Sequence, residues 1–204
     1  MNIEEEVAMK MFSTCIKVNE WMSEFDGQWG IAGGWAIDLF IGKETRPHSD
    51  VEVAIFREDQ HMLKKALLDW SFKKAVKGEL ISWKEEWLEF PVHEIHGVHN
   101  QSGKQLEVLL NEKKENEWIF RREPSISFPK SSLFLHSQKG IPYLHPAVVL
   151  LYKAKNTREK DHADFLAVKD LLTEEDNKWL LNALQVHVPG HRWIQELMRK
   201  RVES

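Results

Sequence analysis

Two acidic residues, Asp50 and Glu52, stand two positions apart in a segment of alternating residues, 50–56. The alternation predicts a β-strand with the apolar branched residues on one face and the acids on the other. Side chains two positions apart on a strand project from the same face, roughly 6–7 Å from each other. Carboxylate oxygens are the ligands that Mg²⁺ prefers, and Mg²⁺ keeps room for water and substrate phosphates. Acids also alternate on solvated strand faces, so the pair acquires a chemical meaning only from its surroundings.

A pair of glycines, Gly33 and Gly34, opens the short apolar segment that precedes this strand and ends at Gly42. Glycines at the start of a helix let backbone N–H groups approach a phosphate closely, and the helix dipole favours the anion. A tight turn without a ligand is the alternative. The order of a glycine pair, a short helix and a strand with paired acids favours the phosphate, so we expect both glycines to contact a triphosphate.

A third acid, Glu107, lies in the apolar run 105–110, which also reads as a strand. A charge in such a run is costly unless it is paired or bound to a metal, although it could also point out of an edge strand. With Asp50 and Glu52 it completes a set for nucleotidyl transfer. We expect the three acids to hold Mg²⁺ and one of them to accept the proton of an acceptor hydroxyl.

Two lysines, Lys153 and Lys155, lie on the helix that is predicted after the sheet. An offset of two in a helix separates them by about 200°, so one of them at most would reach a triphosphate well, and solvated lysines are an equal alternative. Farther on, Asp161 and Asp164 share a helix face, and we expect them to cap a helix start or to pair with Arg158.

Other polar residues near these segments favour structural roles. Arg46 and His48 flank the acidic strand and could contact phosphate or only order the loop. The adjacent arginines 121 and 122 read as a surface pair. Three histidines suggest zinc, but their spacing and Gly97 disfavour convergent ligands, because strand alternation would put the first two on opposite faces; they are His93, His96 and His99.

The elements that must position these residues follow from apolar periodicity. A stripe from Val7 to Phe25 predicts a first helix that ends near Gly27, and a further helix is expected at 58–68. Strands are predicted at 50–56, 72–76, 90–95, 105–110, 118–120 and 133–135. Helices follow at 147–155, around 165–172, at 173–184 with a capping box of Thr173 and Asp176, and around 193–201.

These elements predict an α+β fold, in which a mixed sheet is flanked by helices and followed by a C-terminal helical bundle. After Gly140 the strand patterns are replaced by helical patterns. This change divides the chain into a nucleotide-binding α/β domain at 1–140 and a helical region at 141–204. Most of the nine tryptophans are expected in the core, because tryptophan carries a large apolar body.

Composition excludes several classes of protein. A single cysteine, Cys15, excludes an intramolecular disulfide, and no apolar run approaches the ~20 residues of a membrane span. The acidic residues 4–6 argue against a signal peptide, so a cytoplasmic setting is expected. The first sixty residues carry a net charge of −7, which suits a metal or a cationic substrate. The chain has no basic stripe with interleaved aromatic residues, so nucleic acid is not favoured as a partner.

Taken together, these motifs resemble the polymerase-β-type nucleotidyltransferases. The resemblance is greatest to the small bacterial branch that holds the aminoglycoside 2″-adenylyltransferases and lincosamide nucleotidyltransferases. It covers roughly residues 25–170 and rests on GGWAID at 33–38, RPHSDVEV at 46–53, LEVLLNE at 106–112, WIFRR at 118–122, GIPYL at 140–144, LLYKAK at 150–155 and REKDHADF at 158–165.

The resemblance implies a role for each matching residue. The turn of Gly33 and Gly34 would hold the triphosphate, Asp50 and Glu52 would bind Mg²⁺, and Glu107 would complete the site or act as the base. ATP or another nucleoside triphosphate would be the donor, and a hydroxyl of a small molecule, such as an aminoglycoside-like antibiotic, the acceptor.

One departure from the family pattern keeps two alternatives open. The superfamily shows Asp-x-Asp where this chain has Asp50-x-Glu52, which moves the second carboxylate by one methylene. The chain could therefore be a weakly active or inactive nucleotide-binding regulatory module on the same fold. A nucleotidyltransferase-like toxin that modifies tRNA or protein is the third hypothesis.

Overall fold

The computed structural model describes residues 11–200. Its α-helices, in chain order, are α1 Ser13–Trp21, α2 Gly33–Ile41, α3 Gln60–Ala66, α4 Pro146–Lys153, α5 Glu159–Val168, α6 Glu174–His187 and α7 Arg192–Lys200. Its strands are β1 Trp29–Ile31, β2 Glu52–Phe56, β3 Trp70–Val76, β4 Glu79–Ser82, β5 Glu94–His99, β6 Gln105–Lys114, β7 Glu117–Ile119, β8 Ser127–Pro129, β9 Phe134–His136 and β10 Pro142–Leu144.

The strands form one mixed sheet in the order β4-β3-β5-β6-β2-β1-β10-β9, and β7 and β8 extend it from the far end of β6. The pairs β2–β6 and β1–β10 are parallel, and the other pairs are antiparallel. With helices packed around this sheet, the predicted α+β class and the C-terminal helices are confirmed.

The central strand β2 is buried on both faces. It begins at Glu52 rather than at residue 50, and its next four residues are all buried. The prediction of a strand with one apolar face was therefore wrong. The short side chain of Ala54 and the ring of Phe56 occupy the face that the acids were expected to expose, because helices cover this side of the sheet as well.

The strand predicted at 90–95 was placed too early in the chain, because β5 begins only at Glu94. Pro91 has no N–H group to donate to a sheet ladder, and the chain around it forms a loop. Strands β1, β4, β8 and β10 were not predicted, since each is only three or four residues long and shows little periodicity.

The N-terminal part of the chain confirms only part of its prediction. Within the described residues, α1 runs from Ser13 to Trp21 and buries Cys15 and Val18, as the apolar stripe indicated. Val7 and the acidic residues 4–6 lie outside the described residues. The predicted helix at 58–68 is shorter, since a 3₁₀ turn at Arg57–Asp59 precedes α3.

The C-terminal helices begin where the capping signals indicated. His145 caps α4, with Pro146 in its first turn. Thr173 and Asp176 form the reciprocal capping box of α6, in which the Thr173 hydroxyl accepts from Asp176 N at 3.1 Å. Helix α4 packs against α2, α5 and α6 and is buried on almost all sides, so it forms the centre of the helical layer.

Five of the nine tryptophans are buried, as the composition suggested. Of the tryptophans within the described residues, Trp87 is the most exposed. The last sheet strand, β10, lies at 142–144, just beyond the predicted domain boundary at 140. The division into two domains remains a prediction. No helix among the described residues is both long and apolar enough to cross a membrane.

Candidate active site

The two acids Glu52 and Glu107 lie side by side at the centre of the sheet. They are directly paired in the parallel register of β2 and β6, so their side chains leave the sheet from the same face. Asp50 precedes β2 and is exposed, and its backbone carbonyl accepts a hydrogen bond from Trp35 Nε1 at 3.1 Å. That bond fixes the chain just before the strand, so the three predicted acids occupy one region.

The carboxylates of this region repel one another. Burial, followed by the charges of Glu107 and Asp50, raises the pKa of Glu52 to about 6, and Lys153 offsets part of the effect. Burial also raises the pKa of Glu107, with further contributions from Glu94 and Asp50. An acidic cluster that is short of positive charge is suited to a hard dication.

No three His, Cys, Asp or Glu side chains of residues 11–200 already stand at metal-binding geometry. The fit to a dication therefore rests on the chemistry of the donor set. Oxygen ligands from Asp50 and Glu52 next to a cavity large enough for phosphates match the preference of Mg²⁺ for few protein ligands.

His96 also belongs to this region, which the sequence reasoning missed. It lies opposite Glu107 in the antiparallel pairing of β5 and β6. Its Nε2 is 2.5 Å from Glu94 Oε1, and its Nδ1 is 3.8 Å from Glu107 Oε1. His93 lies before β5 and lines the cavity separately, so the strand argument that set these two histidines on opposite faces did not apply.

Gly33 and Gly34 both lie so close to neighbouring side chains that a Cβ would not fit at either position. Gly33 has a φ of +61°, and a Cβ built on it would lie 1.7 Å from Glu52 Oε2. A Cβ on Gly34 would lie 2.5 Å from Arg46 Nη2 and 2.6 Å from the His48 ring. No side chain caps the start of α2, so its first N–H groups remain available to a ligand beside Glu52.

Arg46 and His48 are held by internal partners. Arg46 forms an ion pair with Asp164 at 3.1 Å. His48 Nε2 lies 2.7 Å from Asp38 Oδ2, and the buried Asp38 also accepts from Thr45. These contacts give both residues the structural loop role, one of the two alternatives that the sequence left open.

Lys153 and Lys155 line the same cavity, which the helical geometry had argued against. Helix α4 ends at Lys153, so the separation of about 200° does not apply to Lys155 in the turn that follows. Lys153 is nearly buried and bridges Asp161 at 2.9 Å and Asp164 at 3.0 Å. Lys155 is exposed at the rim.

The role expected for Asp161 is confirmed. Its Oδ2 accepts from the backbone N of Arg158 at 3.0 Å and from Arg158 Nε at 2.7 Å, so it caps the start of α5 and pairs with Arg158. Asp164 instead joins Arg46 to Lys153. The two aspartates therefore tie α5 to α4 and to the loop before β2.

The arginines Arg121 and Arg122 line the cavity, so their interpretation as a surface pair was wrong. Both guanidinium groups lie over the ring of Tyr152, at 5.7 and 5.3 Å from its centroid. Trp118 and Phe120 anchor the preceding strand in the core, which turns the two arginines back toward α4.

Several of these residues line a cavity of about 460 Å³ between the sheet and α4, but Asp50, Glu107 and His96 are not among its lining residues. Gly33 and Glu52 line the end beside the start of α2, and Arg121, Arg122 and Lys155 line the other end, beside Tyr152 and the end of α4. Leu109, Leu110 and Val149 provide apolar walls. A concave cavity of this size, with apolar walls and charged groups around them, can hold a small molecule.

The raised pKa of Glu52 predicts a pH-dependent stability of the metal-free protein. Because the pKa of Glu52 in the folded protein, about 6, exceeds its ordinary value of 4.5, the stabilising contribution of the protonated side chain is full below pH 4.5 and is lost as the pH rises through 6. At ~1.4 kcal/mol per unit, ionised Glu52 costs about 2 kcal/mol. We expect Glu52→Gln to stabilise the chelator-treated protein by about this amount near pH 8 and by little near pH 4.5, measured by urea unfolding.

The exposed Glu89→Gln is the matched control for replacing a carboxylate by an amide, measured at the same two pH values. An equal gain for Glu52→Gln at both pH values would contradict the raised pKa, because the effect would then come from packing alone.

The mixed sheet, the paired acids of β2 and β6 and the glycine turn that opens α2 define a nucleotidyltransferase. Comparison with protein families gives the same answer: the sequence model of the aminoglycoside-2''-adenylyltransferase family matches residues 14–168. The chain belongs to this family. No curated protein sequence matches it.

Solved structures share the fold at low sequence identity. The lincosamide antibiotic adenylyltransferase LnuA, crystallised with lincomycin, is 17% identical with a TM-score of 0.55, over 78% of this chain and 98% of that one. ANT(2")-Ia in complex with adenylyl-2"-tobramycin is 15% identical with a TM-score of 0.59, over 86% and 98%. The solution structure of ANT(2'')-Ia is 17% identical with a TM-score of 0.56, over 94% and 97%.

Proposed function

We propose that the protein transfers a nucleoside monophosphate, AMP from ATP, to a hydroxyl group of a small molecule in an Mg²⁺-dependent reaction in the cytoplasm. The observation that carries this proposal is the side-by-side register of Glu52 and Glu107 next to the uncapped start of α2. The arrangement places acids, an uncapped helix start and a cavity at one point of the sheet.

Asp50 and Glu52 would hold Mg²⁺, with Glu107 as the third acid. When bound, Mg²⁺ neutralises charge on the triphosphate. The backbone N–H groups at the start of α2 bind the non-transferred phosphates, because they lie beside Glu52 and have no side-chain cap. Lys153 adds positive charge near Glu52, although Asp161 and Asp164 already hold it.

Glu107 is the group that we assign as the base. Its raised pKa brings the carboxylate nearer to the pH at which it must accept a proton. In the reaction the acceptor oxygen bonds to the α-phosphorus, its proton passes to Glu107, and the bond to pyrophosphate breaks. His96 and Glu94 lie behind Glu107, on the side away from Glu52 in the sheet.

Antibiotics are the first acceptors to test. The family name specifies aminoglycosides, and the similar solved structures carry lincomycin or an adenylylated tobramycin. The experiment incubates the protein with Mg²⁺ and ATP labelled at the α- or γ-phosphate, with each acceptor of a panel that holds aminoglycosides, lincosamides and hydroxylated phosphates and carboxylates. We expect the α label on the acceptor and the γ label in pyrophosphate, and neither when Mg²⁺ is omitted.

Tight nucleotide binding without transfer to any acceptor, from ATP, GTP, CTP or UTP, would contradict this function and favour an inactive nucleotide-binding module. One contact supports that second candidate: Glu52 Oε2 lies against Gly33, where a phosphate would approach the turn. If Glu52→Ala left the Mg²⁺-dependent affinity for ATP unchanged, the metal role assigned to Glu52 would be wrong.

A further inference from the structure

The end of the cavity that lies away from the acids carries positive charge without matching carboxylates. Arg121, Arg122 and Lys155 line this end. No carboxylate of residues 11–200 forms an ion pair with them within 4.0 Å. The other cationic residues of the lining, Lys153 and Arg158, are instead paired with carboxylates of α5. The positive charges at this end of the cavity are therefore available to an anionic ligand.

The arginine pair is held in place before any ligand binds. Arg122 Nη1 donates to the backbone carbonyl of Tyr152 at 2.9 Å, and the Tyr152 ring supports both guanidinium groups. The Tyr152 hydroxyl donates in turn to Asn111 Oδ1 at 3.4 Å. Burial and the neighbouring Arg121 lower the pKa of Arg122, as expected for two partly desolvated like charges. Fixed guanidinium groups bind phosphate and carboxylate through paired hydrogen bonds.

Distance separates this end from the site of the donor phosphates. Asn111, beside Tyr152, lies four residues beyond Glu107 on β6, which corresponds to about 13 Å along the strand. The uncapped start of α2, which we assign to the non-transferred phosphates, lies at the other end beside Glu52. An anion bound by the arginine pair would therefore come from the second substrate.

We infer that Arg121 and Arg122, with Lys155, bind an oxyanion of the acceptor, and this inference rests on the transfer reaction proposed above. The acceptor is then a hydroxylated small molecule that carries a phosphate or carboxylate group. A polycationic acceptor is disfavoured, because three cations would face it at this end. The acidic balance of the first sixty residues does not extend to this part of the cavity.

The test is a calorimetric titration of inorganic phosphate into protein saturated with Mg²⁺ and a non-hydrolysable ATP analogue. We expect phosphate to bind this complex, and Arg121→Gln/Arg122→Gln to weaken phosphate binding by about tenfold per arginine while the affinity for the analogue changes by less than about twofold. Arg121→Lys/Arg122→Lys keeps the charge, so its affinity for phosphate should lie between that of the wild type and that of the double glutamine variant. Arg199→Gln, at a side chain that is 73% exposed on α7, is the matched control.

Two results would overturn the acceptor subsite. Phosphate could compete with the analogue, or the double glutamine variant could lose affinity for both ligands, and either result would assign the pair to the donor. Absence of phosphate binding to the wild-type complex would remove the subsite altogether. Retained analogue binding shows that the variant is folded. Since no turnover is required, phosphate binding by Arg121 and Arg122 is measured independently of the transfer assay, so the subsite and the reaction fail on different results.

Discussion

Replacing Glu107 by Gln is expected to lower kcat about 10²–10⁴-fold, because the variant keeps the shape of the side chain but cannot accept the proton of the acceptor hydroxyl. Glu107 lies beside Glu52 in the sheet register, so no backbone change is needed to accommodate the amide. The measurement is the rate of pyrophosphate release at saturating ATP and acceptor, together with the dissociation constant of ATP. A base role predicts a large change in kcat and almost none in that dissociation constant.

The isosteric control is Glu79→Gln on the exposed strand β4, which should retain the wild-type rate. If Glu107→Gln instead raises the Mg²⁺ concentration needed for half-maximal activity, Glu107 acts mainly as a metal ligand. A variant with wild-type kcat would remove Glu107 from the chemistry.

Gly33→Ala is expected to lower kcat/KM by about 100-fold, because small displacements of the groups that position a substrate have effects of this size. The new Cβ would lie 1.7 Å from Glu52 Oε2, so the turn or the carboxylate has to move. The φ of +61° adds strain of about 1–2 kcal/mol for any residue with a Cβ. Steady-state kinetics measure the loss of kcat/KM, and titration with ATP measures the change in nucleotide affinity that the displaced turn causes.

Gly78→Ala separates backbone strain from displacement. Gly78 has a comparable φ of +84°, and a Cβ built on it meets nothing within 4 Å. We expect Gly78→Ala to lose the ~1–2 kcal/mol of stability that a positive φ costs a residue with a Cβ, and to keep its activity. Wild-type kinetics for Gly33→Ala would show that close packing at this turn is unrelated to nucleotide binding.

The parts of the site that the sequence predicted are those encoded locally. The glycine turn of Gly33 and the acids Glu52 and Glu107 each stand in a short segment whose pattern indicates a helix or a strand, although it did not show that β2 is buried on both faces. The capping signals before α4 and α6 are local in the same way. Such features depend on neighbours a few residues away, so a single sequence is enough to find them.

The rest of the site depends on pairing between distant segments. His96 joins the acids only through the register of β5 against β6, which no local pattern specifies. Two adjacent arginines resemble a solvated pair until the packing of Tyr152 turns Arg121 and Arg122 inward. The end of α4 at Lys153 also has no glycine or proline signal, so the position of Lys155 could not be inferred.

A crystal structure of the protein with Mg²⁺ and a non-hydrolysable ATP analogue tests whether Asp50, Glu52 and Glu107 form a nucleotidyl-transfer site. We expect a metal bound by oxygens of Asp50 and Glu52 at about 2.0–2.1 Å, with the phosphates of the analogue on the N–H groups at the start of α2. Glu107 should lie on the side from which an acceptor hydroxyl reaches the α-phosphorus. An analogue bound away from these acids, or bound here with no metal contact to Asp50 or Glu52, would contradict this expectation.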